Sequence, residues 1–161
     1  MGLLIKLAAL VLFSLSSAPT FGQGSSAATI YLKDTQGKTH AIRHFAGKLS
    51  IVHFWATWCS SCLTELPQLI NVAEEMKEQG LSVIFIAADS LDATQEYMRK
   101  EKLQATMLID QYGKAMHDYK IQALPTSIFI DAKGNVIDTQ RGRIDWNSEV
   151  VSTRLKSLLA E

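Results

Sequence analysis

Cys59 and Cys62 are the only two cysteines in a chain of 161 residues. A pair with two residues between them can make and break one disulfide. The attacking species in that exchange is a thiolate, so a working pair needs surroundings that lower a thiol below its free pKa of about 8.5. A helix N-terminus provides this, because its unpaired N–H groups and its dipole favour an anion. The flanking residues predict such a site. Leu49 to Trp55 (Leu-Ser-Ile-Val-His-Phe-Trp) is nearly continuous in apolar residues and reads as a central strand covered on both faces. From Cys59 to about Glu78, Leu63, Leu66, Leu69, Ile70, Val72, Ala73 and Met76 recur at helical spacing. Cys59 then opens a helix, with Cys62 nearly one turn later on the same side. Pro67 falls inside the pattern and predicts a kink, since it lacks an N–H donor.

Three plainer readings compete. As a structural staple, a four-residue ring stabilises by only about 2 kcal/mol, against nearly 5 for a loop of about 100 residues. As half of a zinc site, the pair needs two further ligands from His40, His44, His53 or His117, none of which has a paired-histidine spacing. As inert buried thiols, the cysteines have no reason to be spaced at a helix start. Redox chemistry is the leading reading.

The elements around the pair follow in order. Ala28 to Lys33 is a short strand, Asp34-Thr35-Gln36-Gly37 a tight turn, and Ile42 to Gly47 one loose helical turn. Gly80 ends the long helix. Leu81 to Ala88 is a second buried strand, and Asp89-Ser90 caps a helix from about Leu91 to Lys102. Met107 to Ile109 and a short helix at Ala115 to Tyr119 come next. Thr126 to Asp131 then turns at Lys133-Gly134-Asn135 into Val136 to Thr139 as a hairpin. A last amphipathic helix uses Trp146, Val150, Leu155, Leu158 and Leu159. This order predicts an α/β fold: a central mixed sheet flanked by helices, parallel in its first part and antiparallel at its edge.

Lys plus Arg and Asp plus Glu number 16 each, so no global field draws nucleic acid or an anionic membrane. Glu74, Glu75, Lys77 and Glu78, and Arg99 to Lys102, read as solvated helix faces. The first residues differ from the rest. Met1 to Lys6 carries one positive charge and Leu7 to Leu15 is apolar except for Ser14, a secretory signal pattern. The run is too short to span a bilayer, although an uncleaved N-terminal anchor is the competing reading. Small residues at Ser16-Ser17-Ala18 or Thr20-Phe21-Gly22 offer cleavage sites. The chain divides into residues 1–22 as signal peptide, 23–27 as flexible linker and 28–161 as one domain.

Phe54-Trp55-Ala56-Thr57-Trp58-Cys59-Ser60-Ser61-Cys62, Glu65-Leu66-Pro67, and Leu124-Pro125-Thr126-Ser127-Ile128-Phe129-Ile130-Asp131 closely resemble the TlpA/ResA-like (DsbE-like) branch of the thioredoxin superfamily. The resemblance runs from about Ala28 to the C-terminus. It implies a thioredoxin fold with an N-terminal extension and a central insertion, the latter matching Asp89 to Leu108. It also implies an extracytoplasmic, periplasmic protein, secreted or membrane-tethered. Such a protein reduces disulfides in other proteins, such as apocytochrome c or metal-site assembly proteins, in cytochrome c biogenesis and redox homeostasis. No bound cofactor or metal is implied. The expected state is a monomer, and the partners the resemblance implies are protein disulfides and a membrane thiol transporter that supplies electrons.

By position, the resemblance makes Cys59 the exposed attacking thiolate and Cys62 the buried resolving thiol of a redox-active disulfide. Trp58 shields the pair. Glu65 tunes the cysteines and relays a proton, where the plainer reading is a solvated first-turn glutamate. Pro125 is held in cis, with the Leu124 backbone before it free to pair with an extended substrate; the plainer reading is a trans proline opening a strand.

Two departures bear on function. Ser61 stands where many relatives have the proline that helps set redox potential, which leaves the direction of electron flow open. His53 stands where cytoplasmic thioredoxins have a buried aspartate and exported relatives often have asparagine. It reads as a neutral, hydrogen-bonded core histidine or as a proton relay. The rivals to a reductase are a disulfide oxidase or isomerase, and a copper chaperone using both cysteines and His117. A peroxiredoxin-type peroxidase would have threonine at position 56, where this chain has alanine.

Overall fold

The computed structural model describes residues 29–42 and 47–160. The leader and linker readings, and most of the turn expected at Ile42 to Gly47, lie outside the described residues. The elements are β1 (Tyr31–Asp34), β2 (Thr39–Ala41), β3 (Leu49–Trp55), α1 (Ser60–Glu75), β4 (Leu81–Ala87), α2 (Leu91–Glu101), β5 (Met107–Ile109), α3 (Lys114–Asp118), β6 (Thr126–Asp131), β7 (Val136–Arg141) and α4 (Glu149–Ala160). They form one seven-stranded sheet in the order β2-β1-β5-β4-β3-β6-β7.

β3, β4 and β5 are parallel, while β6 and β7 on one side and β1 and β2 on the other are antiparallel. The antiparallel part expected at one edge is thus present at both. β2, which the sequence did not indicate, lies at the edge and, among the described residues, pairs with β1 alone.

Every residue of β3 is buried. Its alternation sends Leu49, Ile51 and Trp55 into the core beneath α1 and α4, and Val52 and Phe54 into the core beneath α3. The steps from β3 to β4 and from β4 to β5 move in one direction across the sheet. Right-handed crossovers then place α1 and α2 on the same face. From α1, Leu66, Leu69 and Val72, and Met76 at its C-cap, enter that core, each burial stabilising by about 1.5–3 kcal/mol.

α1 runs through Pro67 and passes into a short 3₁₀ turn at Lys77–Gln79. Gly80 ends the turn at φ 103°, in the left-handed region that a side chain resists, and a Cβ there would meet the Lys48 side chain at 2.9 Å.

The C-terminal helix differs from expectation in two ways. Trp146 is buried but precedes α4, and Val150 is exposed. The Ser148 N–H donates to the Asp145 carbonyl at 3.1 Å, so a turn separates the tryptophan from the helix. Leu155 and Leu159 carry the buried face.

Candidate active site

The C-terminal ends of parallel β3, β4 and β5 reach one edge of the sheet, where side chains on the following loops converge. The loop after β3 leads directly into the cysteine pair. Cys59 is the N-cap of α1, with extended backbone (φ −94°, ψ 96°), and its Sγ accepts the Cys62 N–H at 3.3 Å. The sulfur occupies the place where a helix start binds an oxygen acceptor in most caps. Cys59 and Cys62 are joined in a disulfide, their Cα atoms 5.2 Å apart. Cys59, expected to be exposed, is itself buried in the disulfide form, but the two sulfur-bearing residues are unequal: Cys59 keeps 8% exposure, whereas Cys62 keeps none. Ser61 Oγ lies 3.5 Å from the Cys59 sulfur.

Around the pair, Trp58 is exposed at 70%. Leu124-Pro125 is a cis peptide. β6 pairs antiparallel with β3 as far as Phe54 and Thr126, so the next residues, Pro125 and Leu124, face the exit of β3 toward the dithiol. Leu124 packs against the core cluster that includes both cysteines, and the Pro125 carbonyl accepts the Gly142 N–H at 2.9 Å.

Glu65 is not a solvated first-turn glutamate. It is fully buried. Its Oε2 accepts the Ile144 N–H at 2.5 Å. The Trp146 indole faces the same carboxylate without meeting hydrogen-bond geometry. Burial raises the Glu65 pKa to about 7, against the opposing pull of the Ile144 N–H, Trp146 and the Arg143 charge. One helical turn along, Gln68 accepts the Trp146 backbone N–H at 3.2 Å. Side chains of α1 thereby fasten the connection between β7 and α4. Sequence reading missed Ile144, Trp146 and Gln68 in these roles, although Gln68 stands three residues after Glu65 on one helix face.

His53 is fully buried on β3, its Nδ1 2.9 Å from Ser127 Oγ on β6 and its Nε2 3.7 Å from Glu65 Oε1. Burial lowers its pKa to about 3, so the ring is uncharged at neutral pH. His117, the third ligand of the copper reading, is 89% exposed on α3. Among the described residues, no three His, Cys, Asp or Glu side chains are gathered as metal ligands.

Comparison with known proteins agrees with this geometry. Residues 23–139 match the AhpC/TSA family. The chain is 32% identical over 120 residues to the thiol-disulfide oxidoreductase ResA of Bacillus thuringiensis subsp. konkukian, covering 74% of this chain and 69% of the relative. Among solved structures, a thiol:disulfide interchange protein of the thioredoxin family from Chlorobium tepidum superposes with a TM-score of 0.74 at 23% identity, over 88% of this chain and 100% of that one. The exposed lipoprotein thioredoxin of Streptococcus pneumoniae superposes with a TM-score of 0.67 at 26% identity, over 83% of this chain and 100% of that one. The chain accordingly belongs to the AhpC/TSA family, in its TlpA/ResA/DsbE-like thioredoxin branch, and its activity is thiol-disulfide oxidoreduction.

Proposed function

We propose that the chain is an exported, monomeric reductant of disulfides in other proteins. The observation that carries this reading is the inequality of the two sulfurs, one at the helix cap with a solvent-facing edge and one sealed beneath it. In the reduced enzyme, the Cys59 thiolate attacks one sulfur of a substrate disulfide. A Cys59–substrate disulfide forms, and the other substrate sulfur leaves as a thiolate that takes a proton from solvent. Cys62 then gives its proton to the Glu65 carboxylate and attacks the Cys59 sulfur. The second substrate thiolate is released, and the Cys59–Cys62 disulfide remains. Two electrons have passed to the substrate, and a second dithiol protein, of the membrane thiol-transporter kind, must return them.

Trp58 and the Leu124-Pro125 peptide form the substrate contacts on either side of Cys59. Exposure of Trp58 and the register of β6 support that placement. Apocytochrome c or a metal-site assembly protein is the substrate class. Residues 1–22 serve as the leader and 23–27 as the linker to a domain of 28–161. A family match that begins at residue 23 supports the boundary after residue 22, and a relative named as an exposed lipoprotein supports a place outside the cytoplasm. Among the described residues, no helix is long and apolar enough to cross a membrane.

The direction of electron flow is tested by equilibrating the Cys59–Cys62 couple with glutathione and dithiothreitol buffers and trapping free thiols. A reduction potential near or below about −270 mV is expected of a reductant. A value near about −120 mV would make the protein an oxidant, and the reductase reading would be dropped.

A further inference from the structure

Among the described residues, four buried side-chain nitrogen and oxygen atoms lack a hydrogen-bond partner: His53 Nε2, Glu65 Oε1, Trp55 Nε1 and Trp146 Nε1. Buried polar atoms without partners are rare, and each one needs a reason. Three of these four meet at one carboxylate: His53 Nε2 lies 3.7 Å from Glu65 Oε1, both side chains fully buried, and the Trp146 indole N–H, which can only donate, faces the same group. The other ring nitrogen of His53 is anchored, with Nδ1 2.9 Å from Ser127 Oγ. The three side chains come from separate elements: Ser127 from β6, His53 from the central strand β3, and Glu65 from α1, one turn beyond Cys62.

Their chemistry is matched. A serine hydroxyl can donate or accept, a neutral imidazole has one donor and one acceptor nitrogen, and a carboxyl group donates when protonated and only accepts when ionised. We propose that Ser127, His53 and Glu65 form a tautomer relay, in which His53 stays uncharged and changes the nitrogen that carries its proton as Glu65 gains or loses one.

With Glu65 protonated, its O–H is presented to a bare Nε2, and Nδ1–H donates to the Ser127 oxygen. With Glu65 ionised, Nε2–H is presented to the carboxylate, and the Ser127 hydroxyl donates to Nδ1. The two states differ by one proton: on ionisation the Glu65 proton passes to Nε2, the Nδ1 proton passes to the Ser127 oxygen, and the proton that the hydroxyl held is lost to solvent, so the ring stays neutral and Glu65 keeps a partner in both states. Ser127 and His53 are therefore positioning residues that act through Glu65.

The other groups packed around the cluster leave this exchange to the histidine. Phe85 of β4 and the Trp146 ring lie edge-on to the imidazole, with centroids 6.3 and 6.5 Å away. Neither can take up a proton. Arg143, in the connection before α4, is the charge that acts on Glu65, and it favours the anion. Burial holds the ring neutral while Glu65 titrates near neutral pH, so a change of tautomer accommodates the carboxylate where a change of ring charge cannot. The catalytic relevance of the relay rests on the proposed role of Glu65 as proton acceptor for Cys62. The tautomer change itself does not.

The test uses the full chain labelled with ¹⁵N-histidine and ¹³C-glutamate, followed by NMR from pH 5 to 9. The His53 signals are identified by their proximity to Phe85 and Trp146. The expected result is that the two ring nitrogens of His53 exchange protonated and unprotonated shifts at the midpoint of the Glu65 carboxyl titration, with no doubly protonated ring. A single unchanging tautomer through that titration, or a charged imidazolium, would overturn the relay. A second readout is the pH profile of thiol exchange. His53→Leu removes the imidazole that faces Oε1 while the Ile144 N–H on Oε2 remains, and the Glu65-dependent midpoint is expected to rise by at least one pH unit, a tenfold increase in proton affinity. An unchanged midpoint in a folded variant would also overturn it. A Glu65→Gln variant whose exchange profile matches the parent would instead remove the proton-acceptor role of Glu65 and leave the NMR result standing.

Discussion

Both the hydroxyl and the backbone N–H of Thr57 donate to one carboxylate oxygen of Asp89, at 2.5 and 3.1 Å. Thr57 stands two residues before Cys59 in the loop that leaves β3, and Asp89 follows β4, so the bonds tie the dithiol loop to the neighbouring strand end. The second Asp89 oxygen accepts the Ser90 N–H at 2.8 Å. The loop thus inherits the rigidity of the central sheet.

Hydrogen bonds to a charged acceptor contribute about 1.5–3 kcal/mol each, and neutral ones about 1. Asp89→Ala, which removes all three bonds, is expected to lower stability by about 3 kcal/mol or more. Thr57→Val, which removes the hydroxyl bond and keeps the backbone bond and the side-chain shape, should cost about 1.5–3 kcal/mol. Urea denaturation of the oxidised protein measures both. A loss in Thr57→Val equal to that in Asp89→Ala would place the whole effect in the hydroxyl.

The buried pair His53 and Glu65 predicts a plateau in stability against pH. Burial lowers the histidine from 6.5 to about 3, so between those values the unfolded chain binds the extra proton and stability rises with pH. Burial raises the glutamate from 4.5 to about 7, so between those values the folded chain binds the extra proton and stability falls as pH rises. Each slope is at most about 1.4 kcal/mol per pH unit, and the two cancel where their windows overlap. Glu65→Gln should expose the rising limb alone, and His53→Leu the falling limb. Denaturation midpoints across pH 3.5 to 8 decide, and a flat profile in either folded variant would contradict the assignment.

Leu66 is fully buried on α1 in the core cluster that includes the cysteines, whereas Val150 is 79% exposed on α4. Leu66→Ala should cost about 2–5 kcal/mol through lost burial and a residual cavity. Val150→Ala should stay within about 0.5 kcal/mol. Thermal or urea unfolding of the two variants tests which apolar positions hold the helices to the sheet.

The dithiol, β3, β5 and β6 were legible in the sequence because apolar runs bounded by turn residues have few alternatives. What was lost lies in contacts distant along the chain. Glu65 is singled out by the resemblance, but its helical position alone reads as solvated, because the backbone N–H that donates to its carboxylate is 79 residues away. Asp89 reads as a helix cap beside Ser90. Ser90 makes that bond, accepting the Ala93 N–H at 3.2 Å, and Asp89 turns back to Thr57. Trp146 fits a helical spacing with Val150, yet one is core and the other surface, because a turn intervenes and breaks the period. β2 has only three residues at the sheet edge, too few for a periodic signal.

The central claim, that Cys59 attacks and Cys62 resolves, is tested most directly by trapping. Reduced Cys62→Ala and Cys59→Ala variants are each mixed with a peptide containing one disulfide, quenched with acid, and examined by intact mass and peptide mapping. A mixed disulfide that accumulates on Cys59 in the first variant, with little or none on Cys62 in the second, is the expected result. Equal trapping on both sulfurs, or faster trapping on Cys62, would contradict the division of roles.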